Sequence, residues 1–216
     1  GMMQILWHTG YLVLFAITAS LPREEVTALA AFAAGIRMES LLFLPAVAFN
    51  MTASILVGHY LGARDLPGAK SIGLRTWAFG CALISLLGAL LWIFIPELAG
   101  LLSEVPAVQA EIASYLRFNI LAIPFTGTTM ILGGVFIGAG ATRFNMAAIG
   151  GTVWLVRLPL AYILGHLVLV SATGIWAAML ISQIVQASLM FFLFSYKDWY
   201  RFSMHSRSLQ TRIAGS

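Results

Sequence analysis

Five stretches of this chain carry no charged side chain: Met2–Pro22, Ser40–Ala63, Thr76–Pro96, Phe118–Thr142 and Leu158–Tyr196. About 20 apolar residues are what an α-helix needs to cross the ~30 Å hydrocarbon core of a bilayer, and each stretch is at least that long. An unpaired backbone amide in hydrocarbon costs several kcal/mol, so only helices and closed barrels can span. The alternating segments of about ten residues that mark a barrel do not occur. The pattern therefore predicts an all-α integral membrane protein. Composition excludes the soluble alternatives: 60% of the residues are hydrophobic and 9% charged, against about 25% charged in soluble domains. Mean hydropathy is +0.92. So few charges cannot cover a surface in water, which rules out a soluble enzyme, a nucleic-acid-binding module and a disordered chain.

Leu158–Tyr196 is too long for one helix, and its polar break at Ser171-Ala172-Thr173-Gly174 divides it. Six spans result, at 2–21, 26–60, 73–95, 109–138, 145–169 and 174–196. Residues 1–196 then form one six-helix membrane lobe, and 197–216 a basic tail. From Val26 to Tyr60 a helix would run about 52 Å, so it must tilt, kink at Pro45 or project beyond the membrane. Arg64, Lys70, Arg75, Arg143, Lys197, Arg201, Arg207 and Arg212 all fall on alternate connections, hence on one side. The other side has Arg23 among Glu24, Glu25, Glu97 and Glu104. The positive-inside rule puts the basic side and both termini in the cytoplasm of a plasma-membrane protein. The aromatic and basic tail around Trp199 reads as an interfacial anchor.

Cys81 is the single cysteine, so no intrachain disulfide can form. The four histidines show no i, i+4 pairing and no nearby ligand set, which predicts neither a metal site nor a cofactor. A six-span intramembrane protease would need a Gly-x-Ser-Gly serine, and the chain has none. The start at Gly1-Met2-Met3 lacks the positive flank of a signal peptide. It reads as the edge of a longer chain.

Charges at bilayer depth usually face a bundle interior or a wet cavity. Four lie in or near the spans: Arg37, Glu39, Arg117 and Arg157. Counting along their helices puts Glu39 and Arg117 about 30 Å from the cytoplasmic end and Arg157 about 18 Å deep. Glu39 has two readings, an interfacial ion pair with Arg117 or a cation- or proton-binding carboxylate in a transport cavity. Arg157 is expected to hydrogen-bond carbonyls freed by Pro159. Neutral polar residues gather at Asn50, Thr52 and Ser54, and again at Asn119, Thr126, Thr128 and Thr129. Gln183, Gln186, Tyr162, His166 and His8 are further candidates.

Two GxxxG patterns, Gly58/Gly62 and Gly134/Gly138, end the second and fourth spans and predict close helix packing. They belong to an internal echo at an offset of 76 residues, in which Phe49/Phe125, Thr52/Thr128, Ile55/Ile131, Leu56/Leu132 and Ala63/Ala139 also match. Pro45 and Pro124 precede these matches and, with Pro159, predict helix bends. Interruptions of this kind at mid-depth are how transporters bend helices around a site.

The runs Ile36-Arg37-Met38-Glu39-Ser40-Leu41, Leu44-Pro45 and Ala53-Ser54-Ile55-Leu56-Val57-Gly58-His59-Tyr60-Leu61-Gly62-Ala63 resemble the eighth helix of MATE multidrug exporters. Ala122-Ile123-Pro124-Phe125 and Gly133-Gly134-Val135-Phe136-Ile137-Gly138-Ala139-Gly140 resemble the tenth, and Trp154-Leu155-Val156-Arg157-Leu158-Pro159-Leu160-Ala161-Tyr162 the eleventh. The resemblance implies the second lobe of a twelve-helix, two-lobe secondary antiporter. His59 departs from the usual Gln, and Ala141 from a frequent Asp. No acid stands near Thr126 or in the first span, where some branches carry one. Export of cationic or amphipathic small molecules against Na⁺ or H⁺ is implied, with an N-terminal six-helix lobe as partner. Glu39, Asn50, Thr126 and Arg157 are expected nearest the cavity. A lipid-linked oligosaccharide flippase of the wider superfamily, kept open by Arg37, Arg117 and Arg157, and a non-transporting membrane subunit are the alternatives.

Overall fold

A computed structural model describes residues 2–21, 25–196 and 199. Among the described residues seven helices follow one another: α1 Met2–Ala19, α2 Glu25–Gly62, α3 Leu66–Ile93, α4 Ile95–Leu102, α5 Pro106–Gly138, α6 Thr142–Val168 and α7 Ala172–Tyr196. No strand occurs among the described residues. Phe43–Gly62 of α2 and the whole of α3, α5, α6 and α7 are long and apolar enough to cross a membrane, and His8–Ala19 is a shorter apolar helix. The six expected spans fall on α1, α2, α3, α5, α6 and α7. Arg23, Glu24 and the basic residues of the tail lie outside the described residues.

Helix α3 shows how this sequence folds in lipid. It buries Ala69, Gly73, Thr76, Gly80, Ile84 and Gly88, a helical stripe of mostly small residues, and exposes Leu74, Phe79, Leu83, Leu86 and Leu90. In lipid the large apolar side chains have no reason to hide, whereas small ones let backbones approach. A Cβ added at Gly80 would meet Ile131 and Phe49, and one at Gly88 would meet Ile123. Its start, seven residues before the expected 73, follows from Asp65, whose carboxylate accepts the Gly68 N–H at 2.9 Å, with a proline in the first turn. Such a cap is worth about 1 kcal/mol. The short α4 was not foreseen; Pro96 opens it.

Helices α2 and α5 form the centre. Glu39 meets Tyr115, 76 residues on, and Asn50 meets Met130, 80 residues on. A nearly constant separation means parallel helices, so the echo of the sequence lies side by side in space. A Cβ on Gly134 or Gly138 would run into the carbonyl oxygen of Asn50 or Ser54, while one on Gly58 would sit at ordinary contact, 3.5 Å, from the Gly138 carbonyl oxygen. Gly62, expected at the same contact, faces open space. The second pattern therefore packs on the polar turn of α2 rather than on the first GxxxG.

Pro45 and Pro124 sit inside continuous helices. Pro159 is different. Wide π-turns, Val153–Arg157 and Ile163–Val168, bracket it, and the Leu158 N–H reaches back five residues to Val153. Widening of this kind absorbs the donor that proline lacks. The expected break near Ser171–Gly174 is displaced upstream. The left-handed residue of the α6–α7 turn is Val170, at φ 49°. Gly174 instead lies in the first turn of α7, where a Cβ would collide with the Leu164 carbonyl. Trp199 turns inward rather than anchoring at an interface. It is buried, donates from Nε1 to the Phe194 carbonyl at 2.9 Å and stacks on Phe194.

Candidate functional site

The helices α1, α2, α5, α6 and α7 line an open cavity of about 930 Å³. Its wall is mainly apolar, with Tyr11, Phe15, Phe43, Val47, Met130 and Ile149. The polar residues Glu39, Asn50, Thr126, Thr129, Asn145, Gln183 and Gln186 interrupt it. An apolar cleft with a few placed polar groups, of ~300–1,000 Å³, is the usual form of a small-molecule site.

Glu39 is its one acidic residue among the described residues. It is only 8% exposed, and its Oε2 accepts the Tyr115 hydroxyl at 2.8 Å. Tyr115 is held in turn: its ring meets Trp176 edge-on at 4.8 Å and Phe32 at 5.8 Å. Trp176 Nε1 donates to Glu111 Oε1 at 2.6 Å. Gly35, one turn before Glu39, makes the room, since a Cβ there would penetrate the Tyr115 ring. Two smaller voids of about 20 Å³ each flank the carboxylate, and Glu39, Asn119 and Thr126 line both. Each has room for about one water. A carboxylate with amide and hydroxyl oxygens beside it is the donor chemistry of a hard cation.

Of the residues singled out in the sequence, Glu39, Asn50 and Thr126 line the cavity. Asn50 Nδ2 donates to the Met130 carbonyl at 2.6 Å, tying α2 to α5. Arg157 does not line it. It is 2% exposed, and its Nε donates to Ser182 Oγ at 2.8 Å. That bond ties α6 to α7. It remains within electrostatic reach of Glu39. Arg117 is exposed, and among the described residues it makes no ion pair with Glu39, whose partner is Tyr115. Arg37 is exposed as well. His8 borders the cavity, but His166 stacks on Tyr162 and meets Ser20 at 3.0 Å, away from it. Sequence reasoning missed Tyr11, Tyr115 and Asn145. Tyr115 and Asn119 are four apart and share a helix face, which is the signal that could have found Tyr115.

Apolar helices of this length around a cavity with a buried acid define a multi-pass membrane protein. The MatE family model matches residues 1–163, and the chain belongs to the MATE family, whose members are transporters rather than enzymes. It is 30% identical over 170 residues to "Probable multidrug resistance protein NorM" of Bradyrhizobium diazoefficiens, covering 77% of this chain and 36% of that protein. It is 30% identical over 202 residues to "Protein DETOXIFICATION 21" of Arabidopsis thaliana, covering 90% and 39%. Among solved structures it resembles the MATE transporter ClbM in complex with Rb⁺, with TM-score 0.84, 19% identity, and 93% and 47% of the two chains covered. An outward-facing multidrug resistance MATE family transporter gives 0.81, 19%, and 97% and 45%. The chain thus spans less than half the length of each of these proteins.

Proposed function

We propose that this chain is the C-terminal lobe of a secondary antiporter that exports cationic or amphipathic small molecules in exchange for Na⁺ or H⁺. An N-terminal six-helix lobe completes it, and the two rock against each other to expose the cavity alternately. Residues 1–196 form the membrane lobe and 197–216 a basic cytoplasmic tail, in a plasma membrane with both termini cytoplasmic. The charge asymmetry of the connections supports that orientation.

The carrying observation is the placement of Glu39: a buried carboxylate in the wall of a large apolar cavity, oriented by Tyr115, with Asn50 and Thr126 on the same wall. An organic cation offers apolar surface to the wall and its charge to Glu39. The coupling ion competes for the same carboxylate, with Asn119 and Thr126 as neutral donors. No lysine or arginine lines the cavity among the described residues, which favours cations over the anionic lipid-linked sugars of a flippase. The test is drug resistance of cells producing the complete protein. Glu39→Gln lowers resistance by a factor of about ten, the ~1.4 kcal/mol expected of one lost charge interaction, with membrane abundance unchanged. Unchanged resistance would assign Glu39 to structure.

A further inference from the structure

Four oxygens on one side of the cavity have nothing to bind. Thr129 Oγ1 on α5, Asn145 Oδ1 on α6, and Gln183 Oε1 and Gln186 Oε1 on α7 are buried without a hydrogen-bond partner, and all four residues line the cavity. Their side chains are 1–7% exposed. Leaving such groups unpaired is costly, and native proteins rarely do so. Polar residues that merely join helices behave differently here: Thr128, Thr152 and Ser182 each bond a carbonyl of their own helix. The three amide oxygens are acceptors in want of donors, and the Thr129 hydroxyl can accept as well as donate.

We propose that they form a hydrogen-bond-accepting subsite for ligands that carry N–H donors on the positively charged nitrogen, namely primary and secondary ammonium ions as distinct from quaternary ones. The inference rests on the reading of the cavity as a site for organic cations. Gln183 and Gln186 are three residues apart and share one face of α7, about 4.5 Å apart along its axis. Gln183 also borders the small void beside Glu39, so an ammonium held at that carboxylate presents its hydrogens along α7. The last torsion of a glutamine is broad and two-fold, so a rotation that turns the oxygen inward is easy. A quaternary cation can pack against Phe15 and Phe43 equally well, but it leaves the amides unpaired. Discrimination of this kind is strong where a site is built to bond an N–H.

The experiment titrates the protein in lipid nanodiscs, by calorimetry, with 2-(1-naphthyl)ethylammonium and with its N,N,N-trimethyl counterpart. The two share ring and charge and differ in three N–H donors. The wild type is expected to bind the primary ion about tenfold tighter. The Gln183→Met/Gln186→Met variant brings the two affinities within about twofold of each other by weakening the primary ion alone. Retained binding of the trimethyl ion reports that the variant is folded. An equal affinity of the wild type for both ions overturns the proposal without any variant. So does a preference that survives the double substitution, as it would if water satisfied the amides. Glu39→Gln separates the two inferences: if it leaves both affinities unchanged, the cation reading of Glu39 fails, whereas the amide subsite is judged by the glutamine variant.

Discussion

Gly134→Ala should do damage out of proportion to one methyl group. The new Cβ would occupy the space of the Asn50 carbonyl oxygen, and a backbone atom cannot rotate away as a side chain can. Relief requires α2 and α5 to part locally by on the order of 1 Å, which forfeits much of the dispersion contact along the seam. Parting also strains the Asn50–Met130 hydrogen bond of 2.6 Å. Overpacking in a tight core costs about 1–3 kcal/mol, and helix propensity returns about 1 kcal/mol. The closed backbone contact puts Gly134 at the upper end, leaving a net loss of roughly 2 kcal/mol. For 150–250 residues that lowers Tm by about 4–8 °C. Gly62→Ala is the matched control, because nothing lies within 4 Å of its added Cβ. Propensity alone then acts, weakened because Gly62 is the last residue of α2, and Tm stays within about 2 °C of the wild type. Thermal unfolding of both variants in the same nanodiscs, followed by circular dichroism, measures the contrast. Shifts of the same sign and size would refute the packing of Gly134 against the α2 backbone.

Gly35→Ala should push the Tyr115 ring off Glu39 and lower cation efflux about fivefold, while Gly100→Ala, which meets nothing within 4 Å, leaves efflux unchanged; paired transport assays at equal membrane abundance check this. Ser182→Ala removes the hydroxyl that accepts from Arg157 Nε at 2.8 Å. It should cost about 2 kcal/mol, since bonds to charged groups are worth ~1.5–3 kcal/mol, and thermal unfolding reads the loss.

Much of the fold is legible because lipid imposes one simple demand, that uncharged length equals a span. The same demand hides the site. Hydrophobicity marks which segments enter the bilayer but is nearly silent on which face of a helix turns inward, since lipid and core are both apolar. Glu39 could be singled out because an isolated acid has no cheap place in hydrocarbon. Its partner could not be settled by depth: Arg117 lies at a compatible height, yet the helix turns it outward and brings Tyr115 to the carboxylate instead. Arg157 shows a second limit. An ideal 3.6-residue period cannot foresee the wide turns around Pro159, and each wide turn rotates everything before it. What decides the inner face is where the small residues are. Gly35 admits a tyrosine ring, Gly134 and Gly138 admit backbone from α2, and Gly133 lies against the Asn145 amide. The glycines, read as contacts rather than as breakers, trace the walls of the cavity that the apolar background conceals.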